Sequence, residues 1–220
     1  MSAAGTSAPN LERDIVIGFA DAVAAAYESL TRLDQHSGDG DFGDNLRGGV
    51  VVATQRLADD SASPLSVLGA VFLDEVGGTS GPLLGLLFTE IAVAVADDPG
   101  SASAWAEGLS AGLAAIIRVG EAAAGDRTMV DALIPAAESL TATGDFASAA
   151  QAAAEGARAT ALMRARMGRA SYVGDRAKGE SDPGAMGVAL FLWVVASVVT
   201  RSTIDPPLNC GLDALALGER

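Results

Sequence analysis

Apolar residues recur at helical spacing along most of this chain, and small or polar residues separate the runs. The pattern predicts eight helices and shows no alternation of strands with helices. Clusters of Gly, Pro, Asp and Ser mark the breaks. The predicted helices cover residues 11–32, 45–57, 64–75, from the 77–82 turn to 96, 102–119, 128–141, 146–167 and 183–200. We therefore predict an all-α protein.

Composition agrees with one helical core. The chain has 220 residues, of which 50% are hydrophobic and only 5% aromatic. That length is enough for one large domain, so we expect a flexible N-terminal tail over residues 1–10 and a single domain over residues 11–220. Residues 184–200 are uncharged and apolar, close to the shortest length that spans a membrane. Because basic and aromatic flanks are absent, we interpret this run as a buried core helix.

Charge and cysteine content narrow the function classes. The formal net charge is −14, which disfavours binding to nucleic acid or to anionic membranes. Cys210 is the single cysteine, so the chain cannot form an internal disulfide. We expect a cytoplasmic protein in a reducing compartment and assign Cys210 no role.

The order of the loops predicts one composite site. Short connections favour antiparallel neighbours, in either an up-down bundle or a closed helical barrel. Every second loop then opens at the same end. These loops are the most unusual of the chain in composition and cover residues 33–45, 77–82, 120–127 and 168–182. We predict that they meet at one site.

The acidic loop has the strongest chemical signal. Asp34, Asp39 and Asp41 are separated by glycines, and two carboxylates about 4 Å apart repel by roughly 1–4 kcal/mol. A Mg²⁺ ion removes that repulsion, prefers oxygen ligands and shares them with phosphates. A Ca²⁺ loop is a competing interpretation, but the EF-hand spacing is absent. A plain Asp/Gly surface turn is the simplest alternative.

The other loops offer groups that suit an anion. Glycines in the 77–82 turn let backbone N–H groups approach a phosphate at a helix start, with hydroxyls from Thr79 and Ser80. The P-loop triplet is missing, and a capped helix–helix turn explains the same residues. Arg169 in the long loop is a candidate phosphate ligand. Met129 fits a flat ring or the core, and His36, the only histidine, is expected to be exposed.

Together these stretches resemble the nucleotide-binding L subunit of dihydroxyacetone kinases. The matching segments are 33–45, 77–82, 125–133 and 168–185. The resemblance implies a closed barrel of eight antiparallel amphipathic helices. It also implies ADP or ATP across one end, with two Mg²⁺ ions between its phosphates and three aspartates.

The resemblance also implies roles for individual residues. The metal ligands would be Asp34, Asp39 and Asp41, and Arg169 would stabilise the transferring phosphate as the catalytic residue. The nucleotide contacts would come from Phe42, Gly43, Asp44, Asn45, Thr79, Ser80, Gly120, Met129, Arg169, Asp182, Pro183 and Gly184. Two positions depart from the family. Phe42 replaces a usual His, and Asp44 is expected to add negative charge near the phosphates.

In the family, a separate dihydroxyacetone-binding K subunit holds the ketose, and the L subunit presents the phosphate. Some relatives recharge a bound ADP from a phosphoprotein of the sugar phosphotransferase system, whereas others exchange ATP. We therefore expect a kinase subunit that is active only with a K subunit. The alternative is a nucleotide-binding regulatory module, which Phe42 and the lack of a K domain in this chain favour.

Overall fold

The chain folds into helices throughout the part that the structure describes. The computed structural model describes residues 10–58 and 62–208, and these residues form eight α-helices and no strand, which confirms the all-α prediction. Three short 3₁₀ turns lie between the last two helices, at Thr160–Leu162, Arg169–Tyr172 and Gly174–Ala177. The helices are α1 (Leu11–Ser37), α2 (Phe42–Arg56), α3 (Pro64–Asp74), α4 (Ser80–Ala94), α5 (Ala102–Gly120), α6 (Val130–Thr143), α7 (Phe146–Ala159) and α8 (Pro183–Thr200). Residues 1–9 of the predicted tail and Cys210 lie outside the described residues.

Several helices begin at side chains that satisfy free backbone N–H groups. Ser63 accepts a hydrogen bond from the N–H of Ser66, with Pro64 in the first turn of α3. Asp145 caps α7 and Asp182 caps α8 in the same way. These caps fix where the loops end and therefore which residues face the end of the barrel.

Three helix boundaries differ from the predicted ones by three residues or more. The first helix continues to Ser37 and the second begins at Phe42, because a side-chain oxygen of Asp34 accepts the otherwise free N–H of Phe42 at 3.0 Å. The predicted seventh helix is too long, since α7 ends at Ala159. There, the Thr160 hydroxyl accepts the N–H of Asp182 at 2.7 Å, and this tertiary contact turns the chain away from the helix axis.

The helices close into a barrel. Each helix packs against the next one in the chain, and α8 packs against α1. By length and composition α8 is the one helix of the described residues that could cross a membrane, but 89% of it is buried inside the protein. An apolar helix buried on all sides is typical of a protein core, in agreement with the sequence interpretation.

Aromatic side chains fill the middle of the barrel. Phe191 of α8 meets Phe19 of α1 and Phe88 of α4, with ring centroids 5.2 and 4.9 Å apart. Phe72 of α3 packs edge-on against Phe88. These rings link helices that are distant in sequence, so the barrel ends are held in register by one packed cluster.

Candidate functional site

All four unusual loops line a single cleft at one end of the barrel, as the alternation argument predicts. The cleft has a cavity volume of about 180 Å³. Its inner surface is apolar and includes Phe72, Leu84, Ile116 and Met129. Its rim is formed by residues of the acidic stretch, the glycine turn, the turn after α5 and the loop before α8. The arrangement suits a ligand with an apolar flat part and an anionic part.

The three aspartates of the acidic stretch occupy different positions relative to the cleft. Asp34, in the last turn of α1, lines the cleft and accepts the N–H of Phe42. Asp39 also lines the cleft and forms an ion pair with Arg169. Asp41 precedes α2, is exposed and is not among the lining residues. Across the described residues, no three His, Cys, Asp or Glu side chains are grouped so as to hold a metal ion.

The two aspartates that line the cleft have different partners. Asp34 accepts a backbone N–H, whereas Asp39 is paired with the Arg169 guanidinium. Oxygen donors from Asp34 and Asp39 on one side of the cleft match what Mg²⁺ prefers. A metal role for Asp34, Asp39 and Asp41 therefore stays a prediction.

The first turn of α2 turns two of the predicted nucleotide contacts toward α1. The Asp44 carboxylate accepts a hydrogen bond from the Tyr27 hydroxyl at 2.8 Å and is not among the residues that line the cleft. Gly43 lies where α2 crosses α1, and a Cβ added to it would come within 3.2 Å of the Tyr27 carbonyl oxygen. Both residues serve the contact between the two helices. Nucleotide contacts from Gly43 and Asp44 stay predictions.

Phe42 and Asn45 do line the cleft. The Phe42 ring is 7% exposed and lies against Gly187 of α8, where an added Cβ would come within 3.0 Å of the ring. The ring therefore belongs to the core as much as to the cleft. Asn45 faces the glycine turn, because a Cβ added at Gly78 would lie 3.5 Å from the Asn45 amide nitrogen.

The glycine turn leads directly into α4 at the cleft. Thr79 precedes the helix without a capping hydrogen bond from its side chain, and Ser80 is its first residue. Both line the cleft. Gly78 has φ of +75°, a conformation that favours glycine. The free N–H groups at this helix start and the two hydroxyls are donors suited to a phosphate.

The remaining predicted contacts meet where α5, α6 and α8 converge. Gly120, Met129 and Asp182 line the cleft. Pro183 and Gly184 are buried behind it, and Met129 packs against Gly184, since a Cβ there would lie 3.5 Å from the Met129 methyl carbon. In this structure Pro183 and Gly184 therefore pack behind the wall of the cleft.

Arg169 stands at the mouth of the cleft, with 59% of its side chain exposed. It begins a 3₁₀ turn of the loop before α8. His36 is exposed, lies outside the cleft, and its ring nitrogen is 3.4 Å from the Lys178 carbonyl oxygen. The structure thus agrees that His36 is not positioned for catalysis at the cleft.

Sequence reasoning missed Arg127, a cleft residue that is 1% exposed. A guanidinium nitrogen of Arg127 lies 3.8 Å from an Asp182 carboxylate oxygen. Burial raises the pKa of Asp182 to about 6, with smaller contributions from the charges of Asp131 and Asp34, although Arg127 and the Ala185 N–H oppose the rise. The only signal for Arg127 in the sequence was a cation directly after Gly125-Asp126.

Comparison with known proteins identifies the family. The family model described as the DAK2 domain matches residues 36–197. This chain belongs to the DAK2 domain family. The match contains the acidic residues Asp39 and Asp41, the glycine turn and the loop before α8, so it covers most of the cleft.

Several relatives of this DAK2 domain are kinases of short ketoses by name. It is 35% identical to the "PEP-dependent dihydroxyacetone kinase, ADP-binding subunit DhaL" of Escherichia coli, over 80% of this chain and 90% of that protein. It is 38% identical to the "D-erythrulose kinase" of Mycolicibacterium smegmatis, over 84% of this chain but 34% of that protein. The chain thus spans about a third of the length of that longer kinase.

A solved structure has the same fold. The dihydroxyacetone kinase from C. freundii, in complex with AMP-PNP and Mg²⁺, superposes with a TM-score of 0.68 at 27% identity. The superposition covers 90% of this DAK2 domain and 36% of that chain. The helical barrel is therefore the fold of a phosphotransferase family.

Proposed function

We propose that this DAK2 domain is the nucleotide-binding, phosphoryl-donor subunit of a kinase for dihydroxyacetone or a related short ketose. The observation that supports it best is the convergence of the α4 start, Arg169 and two carboxylates on one cleft. The E. coli relative, which this chain matches over 90% of its length, is named an ADP-binding subunit. The ketose would be bound by a separate K subunit, and the pair would work in the cytoplasm.

In this proposal, ADP or ATP lies in the cleft with its base over the apolar residues near Met129. Its phosphates receive donors from Thr79, Ser80 and the start of α4. Bound Mg²⁺, in two copies, would neutralise phosphate charge, with Asp34, Asp39 and Asp41 as its ligands. Phe42, Gly43, Asp44 and Asn45 form the adjoining first turn of α2. Of these, Phe42 and Asn45 line the cleft.

Phosphoryl transfer depends mainly on position and charge. Arg169 at the cleft mouth would leave Asp39 and stabilise the charge of the transferring phosphoryl group. Asp182 at the start of α8 and the backbone near Gly120 would keep the nucleotide in place. No nucleophile from this chain is needed, which agrees with the position of His36 outside the cleft.

Calorimetric titration of ADP and ATP, once with Mg²⁺ and once with EDTA, tests the nucleotide site. We expect Asp39→Asn and Asp41→Asn to abolish Mg²⁺-dependent binding while the helical circular dichroism is unchanged. Asp74→Asn is a matched control, because it removes the same charge from an exposed residue that does not line the cleft. Wild-type affinity in the Asp39→Asn variant would refute the metal–phosphate site.

The donor role is tested by adding a K subunit and dihydroxyacetone and following ketose phosphate by ³¹P NMR. ADP that stays bound through gel filtration would support recharging by a phosphoprotein rather than exchange of ATP. Nucleotide binding without any ketose phosphorylation would favour the regulatory module instead.

A further inference from the structure

The long loop between α7 and α8 is closed at its base. The Asp182 N–H donates to the Thr160 hydroxyl at 2.7 Å, and the Gly179 N–H donates to the Ala161 carbonyl at 2.9 Å. Residues 160 and 182 are therefore held together, and the residues between them project as one unit. Arg169 is in this unit, so its position at the cleft depends on the base of the loop.

Arg127 joins that base to the opposite wall of the cleft. It follows Asp126 in the turn between α5 and α6, where both carboxylate oxygens of Asp131 accept backbone N–H groups. From there Arg127 donates to the Glu180 carbonyl at 3.0 Å and lies 3.8 Å from Asp182. One side chain thus contacts two residues at the end of the loop.

Arg127 has an unfavourable backbone conformation and buried polar atoms without partners, and both indicate that it does more than pack. Arg127 has φ of +63°, a left-handed conformation that is unfavourable for a side chain with a Cβ. Two of its guanidinium nitrogens, Nε and Nη1, are buried and have no hydrogen-bond partner in the described part of the chain. Buried ion pairs are often replaced by apolar side chains without loss of stability. Filling space alone therefore does not require a charged side chain at this position.

We infer that Arg127 is a positioning residue, which fixes the base of the 160–182 loop and so places Arg169 at the mouth of the cleft. Without Arg127, the contacts of Thr160 and Ala161 remain, as does the hydrogen bond from the Arg166 N–H to the Asp126 carbonyl at 3.2 Å. Among the described residues, however, no other hydrogen bond or ion pair joins Glu180 or Asp182 to the turn before α6. The loop then opens more often while the barrel stays folded. The consequence for nucleotide binding depends on the proposed function, whereas the consequence for the loop does not.

Limited digestion with trypsin measures opening of the loop directly, because the loop contains trypsin sites at Arg164, Arg166, Arg169, Arg176 and Lys178. We expect Arg127→Met to raise the cleavage rate at these sites about tenfold or more over wild type. Arg127→Lys keeps a cationic donor, so its loop should be cleaved at a rate between those of wild type and Arg127→Met. Arg118, within α5, is the internal reference for global unfolding.

Arg56→Met is the matched control. It makes the same substitution in an exposed ion pair with Glu75, away from the loop, so loop cleavage should stay near the wild-type rate. Loop cleavage at the wild-type rate in Arg127→Met would overturn the inference. An equal rise at Arg118 would also overturn it, since Arg127 would then serve global stability. If Arg127→Met does not fold, Arg127→Lys is used instead. A ratio of loop cleavage to Arg118 cleavage above the wild-type ratio then supports the inference, and the wild-type ratio overturns it.

Calorimetry separates this inference from the proposed function. If wild type binds Mg²⁺-ADP, Arg127→Met should bind it about tenfold or more weakly. Unchanged affinity in that variant would overturn the link from the loop base to Arg169. If wild type binds no nucleotide, the proposed function fails, and the digestion experiment still decides whether Arg127 positions the loop.

Discussion

Asp182 gives the sharpest quantitative prediction, because a buried carboxylate makes stability depend on pH. Its pKa is 3.8 in an ordinary environment and about 6 in the folded protein. A raised pKa means that its stabilising contribution is complete below pH 3.8 and is lost as pH rises through 6. The full difference is about 3 kcal/mol. By the same relation, Asp182 makes the free energy of unfolding about 1.4 kcal/mol larger at pH 5 than at pH 8.

The Asp182→Asn variant removes this titration while keeping an oxygen that can accept the Ala185 N–H, which Asp182 accepts at 2.8 Å. Urea unfolding at pH 5, 6, 7 and 8 and constant ionic strength, followed by tryptophan fluorescence, measures the free energy of unfolding. The buried Trp105 is a suitable reporter. We expect wild type to gain about 1.4 kcal/mol relative to the variant from pH 8 to pH 5.

Asp145 is a control of opposite sign. Hydrogen bonds from the Ser148 hydroxyl and N–H lower the pKa of Asp145, so its contribution is present at neutral pH and is lost as pH falls. Asp145→Asn should therefore remove part of any acid destabilisation of wild type. Parallel pH curves for wild type and Asp182→Asn would refute the reasoning, since they would mean that Asp182 titrates normally.

Three further predictions concern packing, each checked by urea unfolding. Gly43→Ala should lower the free energy of unfolding by about 1–3 kcal/mol, because the added Cβ meets Thr31 and the α1 backbone. Gly48→Ala should raise the free energy of unfolding by about 0.5–1 kcal/mol, because the space around its added Cβ is open. Equal effects of the two would contradict the close helix contact. Phe191→Ala should cost about 3–5 kcal/mol, and a loss under 1 kcal/mol would show that the aromatic cluster is not the core. Phe42→His should lower the free energy of unfolding by about 1–3 kcal/mol, because it buries a polar ring. An unchanged midpoint of urea unfolding would mean that the ring is solvated.

Much of the candidate site was predictable because its signals are local or follow from chain order. Thr79, Ser80 and Asp182 stand at helix starts, which short motifs mark reliably. Alternation of antiparallel helices then assigned their loops to one end without any knowledge of angles or distances. The cleft that these loops line agrees with that argument.

Other parts were not predictable from the sequence. Gly43 and Asp44 belong to the same motif as Phe42 and Asn45, yet they lie on the face of α2 toward α1. Which face of a helix meets the cleft depends on the rotation of that helix in the barrel, and packing with its neighbours sets the rotation. The end of α7 at Ala159 likewise depends on Thr160 meeting Asp182, a residue distant in sequence.

The sequence by itself therefore determined the helical class, the order of the elements and the end of the barrel at which the chemistry lies. Periodicity and capping suffice for these, because they act over a few residues. Only the tertiary structure decided that Arg127 is buried beside Asp182 and that Arg169 pairs with Asp39. Those contacts join separate loops, and their energies depend on burial and distance, which exist only once the barrel has closed.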